Sequence, residues 1–528
     1  MTTESGPEKL AHWGGGSGAF TLPEAAYRDD EMVEYGGNPC IEALPQIMEK
    51  EDVAELAVYP PVYEDAWEGR PQARIARALY AVKHLFQPLP IHTKVAGRIA
   101  NQLRLGLSSR NPLETTFWRE NVELARQVRA GTLLERPPSS QALGQLVYGD
   151  SRNGKTKGFE TVLASYPKAL RHSNYRGTSL HLDQLVWLRL ECPKDGSPRE
   201  LALQFFRETD ARLGTRYFDG YSRGQKSVDD LLGYMVLVAR NHALGLLVID
   251  EIQHLLQAQY RGKTALNFLV TLINYIGLPV TAIGTPATLL VFEHEFRLSG
   301  RMSFMGDIVW PRMRFAEPKQ LEADWTIMLD ALEDYQYTRR HFPLTSELRR
   351  ALYENCQGIT EVAISLFFCV QRHLIEQEEI VGGDREWSPG LIDWLAAENY
   401  TATYPGLVAL RSGKIEEIKK HGDVMPLPRL RAEGDQAPEQ VLGAPEETLG
   451  EPEGAIGAPA GADVGKTKPP RAKSSTTRRP RSPRRGNGTE PVHDALSQAI
   501  ATGADQGLDP HAALLDAGFI KPLIEVML

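Results

Sequence analysis

The run Gly149-Asp150-Ser151-Arg152-Asn153-Gly154-Lys155-Thr156 constrains this chain more than any other stretch. Its G-x-x-x-x-G-K-[ST] spacing is that of a phosphate-binding loop. The glycines let the backbone turn tightly, so that successive N–H groups point into one concavity. Lys155 can reach the β- and γ-phosphates, and the Thr156 hydroxyl can ligand Mg²⁺. A glycine-rich surface turn could carry the same letters, so context decides. The apolar run from Ala142 to Tyr148 reads as a buried parallel strand. Lys157 to about Ala164 reads as a helix whose N-terminus faces the phosphates. Strand before and helix after favour a nucleotide site.

A chain of 528 residues has room for about two to four domains. Its net charge of −9 excludes a uniformly basic nucleic-acid binder, so any DNA contact must come from local patches. Cys40, Cys192, Cys356 and Cys369 stand far apart with no C-x-x-C pair, which argues against a zinc knuckle or disulfide framework and fits a reducing cytoplasm. Met1 to Gly18 has no apolar core of a secretion signal. The uncharged stretch from Leu266 to Phe292 is broken by Gly277, Pro279, Gly284 and Pro286, and reads as helix, strand and helix of an α/β core, with no membrane span.

The expected fold class is α/β, a three-layer core with a parallel sheet followed by a small helical lid. Residues 1–26 read as a flexible N-terminus, 27–135 as a docking and helical region, 136–316 as the core and 317–422 as the lid. The lid helices are expected at Leu321–Gln336, Ser346–Cys356, Glu361–Glu376 and Pro389–Ala397. Residues 423–490 form an acidic-then-basic linker rich in proline and glycine, which cannot bury enough apolar area to order itself. Its basic part, 466–485, could contact phosphates, bind the acidic part, or only solubilise the linker. Residues 491–528 have helical apolar spacing without a core of their own, as a partner-binding element would. In the docking region, His92 to Arg104 has helical spacing with Lys94, Arg98 and Arg104. These cations could touch DNA or a partner, or line a solvated face.

Within the core, Leu185–Glu191 reads as the second strand and Pro198–Leu213 as a helix. The Gly214–Lys226 loop sets Arg216, Arg223 and Lys226 among three aromatics, and Ser227 caps the next helix. Leu244 to Glu251 is an apolar strand ending in two carboxylates. Such a strand can fix Asp250 near Mg²⁺, as a metal ligand with Thr156, and let Glu251 orient a water and accept its proton. Pro279–Thr285 reads as another core strand. Thr285 at its carboxyl end is a candidate γ-phosphate sensor, a helix N-cap before Pro286, or both. Phe292 to Met305 reads as helical, and Asp307–Trp310 as the last strand.

Several separated motifs resemble the TnsC/TniB proteins, AAA+ regulators of transposition that choose their target. The run from His242 to Leu255, with Val248-Ile-Asp-Glu-Ile-Gln-His254 at its centre, carries most of the likeness. Asn38-Pro-Cys-Ile-Glu-Ala-Leu-Pro45, Ile283-Gly-Thr-Pro286 and Ala409-Leu-Arg-Ser-Gly413 add to it, from about Tyr27 to His421. The resemblance implies an AAA+ ATPase that binds ATP and Mg²⁺ between neighbouring subunits. An arginine from the next subunit would complete the site, with Arg301 the first candidate and Arg297 the second. Either could instead pair on the surface with Glu293 or Glu295. It further implies a homo-oligomeric ring or filament on double-stranded DNA, bridging a target selector of the TnsD/TniQ type to transposase subunits of the TnsA/TnsB type. Sequence-neutral DNA contacts would fall on Lys194, Arg199, Arg216, Arg223 and Lys226. In one departure, Gly358-Ile-Thr-Glu361 has no arginine where AAA+ lids often carry G-x-x-R, which points to slow or partner-dependent hydrolysis. Two other readings compete: a P-loop signalling ATPase that recruits a protein effector without DNA, and a helicase or helicase loader. The first lacks a sensor repeat array, the second a second ATPase core.

Overall fold

The computed structural model describes residues 21–30, 32–56, 69–131, 143–224, 226–257, 278–289, 300, 302–315, 324–381, 386–421 and 424. All lie in the first of two units, Met1–Leu427. The finger candidates Arg297 and Arg301, residues 292–299 of the expected Phe292–Met305 helix, most of the Leu266–Phe292 stretch, the charged linker apart from Val424, and the 491–528 element lie outside the described residues.

Seven strands are described: β1 (Gln145–Gly149), β2 (Ala169–Tyr175), β3 (Thr178–Leu185), β4 (Trp187–Glu191), β5 (Leu246–Asp250), β6 (Val280–Gly284) and β7 (Ile308–Trp310). Five make one sheet in the order β4-β5-β6-β1-β7, every pairing parallel. All carboxyl ends therefore emerge along one edge, where Gly149, Glu191, Asp250, Gly284 and Trp310 sit. Every position of β5 and β6 is buried, which is why these strands read as near-continuous apolar runs. Alternate side chains serve opposite faces. Leu247, Ile249, Val280 and Ala282 join the core under the helices Pro198–Leu213 and Val228–Asn241. Leu246, Val248 and Ile283 join the core under Pro90–Ser108 and Lys155–Ala164. Each fully buried Leu, Ile or Val contributes ~1.5–3 kcal/mol.

The second strand differs from expectation. Leu185 ends β3 of an antiparallel β2–β3 hairpin, and the sheet strand β4 starts at Trp187. The hairpin turns at Arg176 and Gly177, both with positive φ. Its alternation is obscured by His172 and Gln184, polar residues on its buried face, and the Arg-Gly turn is the signal that marks it. The N-terminal segment docks on this hairpin from before Tyr27. Leu22 is buried, and Ala25 N–H donates to Arg171 O. Glu42, from the Asn38–Pro45 motif, is buried and accepts from Tyr175 Oη (2.9 Å) and Arg176 (2.8 Å).

The helix Pro71–His84 contributes Ala78, Ala81 and Val82 to the core of the lid, whose main helices are Asp324–Glu333, Ser346–Cys356, Thr360–Val381 and Pro389–Asn399. Arg74 on that helix forms a buried ion pair with Glu378 of the lid at 2.6 Å. Chain order and core membership thus part company. All four cysteines are free and buried, and burial pushes the Cys40 and Cys356 thiols up to about 12.

Candidate nucleotide site

β1 delivers the loop. Gly154 caps the following helix at φ 81° and Arg152 sits at φ 63°, so the chain passes twice through the left-handed region before Lys155 opens the helix. The helix starts two positions earlier than the sequence suggested. Lys155 Nζ donates to Gly149 O (2.9 Å) and Asp150 O (2.8 Å), which holds the ammonium across the mouth of the loop. Behind the helix there is no space: a Cβ on Gly158 would lie 2.5 Å from Trp310 and 2.9 Å from His92. His92 accepts from Leu89 N–H through Nδ1 at 2.8 Å, and burial lowers its pKa to about 4.

Thr156 and Asp250 meet as a metal site requires. Thr156 Oγ1 donates to Asp250 Oδ2 at 2.7 Å. Two convergent protein oxygens suit Mg²⁺, which takes its other ligands from phosphates and water. Among the described residues no cluster of three or more His, Cys, Asp or Glu offers an all-protein cage. Arg189 of β4 was not anticipated. Its guanidinium reaches the same Asp250 Oδ2 at 2.8 Å and Glu160 at 3.1 Å. Its sequence signal is a charged letter between the apolar Leu188 and Leu190.

Glu251 follows β5 at φ 57°, with its N–H bonded to Asp250 Oδ1 at 2.9 Å. Its carboxylate accepts from Gln253 Nε2 at 2.5 Å. Thr285, one residue beyond β6, is buried, and its N–H donates to Gln253 Oε1 at 3.1 Å. Its Oγ1 is buried without a partner among the described residues. Thr285 O accepts from Thr288 N–H at 2.9 Å, so the residue also starts a turn.

The variable positions of the loop face the lid. Asp150 and Arg312, which follows β7, form a buried ion pair at 2.7 Å, and Arg312 also donates to Gln357 O at 3.3 Å. Burial lowers the Arg312 pKa, while Asp150 opposes that shift. Asn153 donates to Pro311 O (2.5 Å) and accepts from Thr360 N–H (3.3 Å) and Oγ1 (3.2 Å). Arg152 O accepts from Glu361 N–H at 3.1 Å, and the two side chains lie 3.4 Å apart as an ion pair. At the lid position where AAA+ proteins often carry an arginine, a glutamate stands instead, and the paired arginine comes from the loop.

The two loops proposed from sequence as DNA contacts adjoin. Arg199 donates to Lys226 O at 2.7 Å. Lys226 lies over the rings of Tyr221 and Tyr234, which stack with centroids 4.3 Å apart. Lys194, Arg216 and Arg223 are exposed. Tyr217–Ser222 inside this loop is a short helix. Lys94 is exposed and Arg98 half-buried, but Arg104 is not available to DNA: it is buried against Asp30 at 2.8 Å. A helix face buried against the N-terminal segment could not be read from spacing alone.

Residues 140–291 match the family model described as AAA domain. No curated protein matches the chain. Solved structures similar to it include the ORC2 protein of Aeropyrum pernix in ADPNP-ADP complexes, at 15% identity and a TM-score of 0.29 over 55% of this chain and 70% of that one. Another is Cdc6p of Pyrobaculum aerophilum, at 11% identity and 0.29 over 52% and 65%. No described helix is long and apolar enough to cross a membrane. The family match over 140–291, the parallel strand order and the loop between β1 and its helix make this α/β segment a nucleotide-binding AAA+ P-loop domain.

Proposed function

We propose that this protein is an ATP-dependent, DNA-binding regulator of transposition of the TnsC type. ATP and Mg²⁺, bound by Lys155, Thr156 and Asp250 and completed by Arg301 or Arg297 of a neighbouring copy, assemble it on target duplex. There it links a TnsD/TniQ-type selector to TnsA/TnsB-type transposase, and hydrolysis with Glu251 as base disassembles it. An arginine given in trans neutralises charge developing on the γ-phosphoryl.

One observation supports a coupling between nucleotide and DNA. Cys192 N–H donates to Asp250 O at 2.8 Å, and His254 Nδ1 lies 3.0 Å from Cys192 O. The Lys194–Arg199 loop, and Lys226 joined to it, therefore springs from backbone fixed to the catalytic strand. The cations there suit phosphate contacts, which are sequence-neutral.

The test is fluorescence anisotropy of labelled duplex with and without ATP. Wild type is expected to bind only with ATP, Lys155→Ala not at all, and Glu251→Gln to bind and fail to release. Arg216→Ala with Arg223→Ala is expected to weaken binding equally across sequences and flatten its salt dependence by about one unit per lost contact. Undiminished ATP-dependent binding by Lys155→Ala would overturn the proposal.

A further inference from the structure

We propose that Gln253 is a positioning residue that ties the candidate base Glu251 to the candidate phosphate sensor Thr285. The inference rests on the ATPase reading above and extends it to a residue outside the loop and the acidic pair.

The geometry is specific. One side-chain amide spans the ends of two neighbouring parallel strands. Its Nε2 donates to Glu251 Oε2 at 2.5 Å, and its Oε1 accepts from Thr285 N–H at 3.1 Å. Only one orientation of the amide satisfies both, because a carboxylate accepts and a backbone N–H donates. The surroundings are shaped around it. A Cβ on Gly284 would lie 2.5 Å from Gln253 Oε1 and 2.1 Å from Thr288 Oγ1, so only glycine lets the amide reach the end of β6. Glu251 holds a left-handed backbone conformation at φ 57°, uncommon for a residue with a side chain, which aims the carboxylate toward this bridge. The next residue, Ile252, is fully buried, so the short 3₁₀ helix Ile252–Gln257 that carries Gln253 is anchored.

Two consequences follow. Gln253 fixes the orientation of Glu251, which a general base needs before it can hold a water in line. It also makes the position of Glu251 depend on the backbone of Thr285, whose buried hydroxyl has no partner among the described residues. A shift of Thr285 on contact with a γ-phosphate would be passed to Glu251 through one amide.

The experiment uses the full chain with ATP and Mg²⁺, and measures steady-state turnover beside binding of a fluorescent nucleotide. Gln253→Met keeps the volume and deletes both hydrogen bonds. Gln253→Glu keeps the acceptor for Thr285 N–H and sets a carboxylate against Glu251. Both are expected to lower kcat roughly tenfold or more, with KM and nucleotide affinity within about twofold of wild type. In the Glu251→Gln background, Gln253→Met is expected to cost nothing further, since its effect passes through Glu251. The proposal is overturned if Gln253→Met and Gln253→Glu turn over like wild type, if their loss lies in nucleotide affinity, or if the double variant falls well below Glu251→Gln. A wild type that binds nucleotide without hydrolysing it overturns the hydrolysis reading itself, and this role with it.

Discussion

The hydroxyl of Thr156 stands 2.7 Å from Oδ2 of Asp250, so the helix after the loop and the end of β5 share one oxygen pair. Arg189 reaches that same Oδ2 at 2.8 Å. A cation seated on the proposed metal ligand would lower the local attraction for Mg²⁺.

Removing that guanidinium should therefore help the metal. Arg189→Met is expected to reduce the Mg²⁺ concentration that half-saturates nucleotide binding, by ~1 kcal/mol or about fivefold. A Mg²⁺ titration with a fluorescent ATP analogue measures it. An unchanged or higher requirement would show that Arg189 serves only to place Asp250.

The buried pair between Asp150 and Arg312 makes a stability prediction. Arg312→Met leaves the Asp150 carboxylate, 1% exposed, without its cation. Breaking such a pair from one side costs about 3–5 kcal/mol. Urea unfolding of the two proteins reads it directly, and a loss below about 1 kcal/mol would contradict the pairing.

Arg152 and Glu361 present the opposite case. Both side chains are nearly half exposed, at 47% and 46%, so their pair adds little to stability, ~0–1 kcal/mol. Its effect should appear in nucleotide binding. Glu361→Gln frees the Arg152 guanidinium for the triphosphate, and ATP affinity is expected to rise a few-fold with an unchanged unfolding midpoint. Isothermal titration of ATP tests this, and weakened binding would mean that Glu361 holds the loop in its productive shape.

His92 gives a pH dependence. It is 4% exposed, packs on Trp310 with centroids 5.4 Å apart, and burial lowers its pKa to about 4. The folded protein therefore binds this proton less readily than the unfolded chain does. Stability from neutral His92 is complete above the unfolded pKa of about 6.5 and is lost as pH falls toward 4, by up to ~3 kcal/mol. Denaturant unfolding at stepped pH should show this slope in wild type and a shallower one in His92→Gln.

The sequence by itself determined the phosphate loop and most of the sheet. A glycine-lysine-threonine spacing after an apolar run admits few backbones, and a buried parallel strand must be apolar throughout, so β1, β5, β6 and β7 were legible with the residues at their ends. Ser227 was legible as a cap for the same local reason, and its hydroxyl accepts from Asp230 N–H. Tertiary structure alone decided what the unspecified letters of the loop do. Asp150, Arg152 and Asn153 acquire partners at Arg312, Glu361 and Thr360, separated from them by more than a hundred residues of chain. It decided also that Arg104 is buried and that the helix Pro71–His84 belongs to the lid. The physical reason is that local pattern sets which way a side chain faces along its own element, whereas the partner it meets depends on which distant element is packed there.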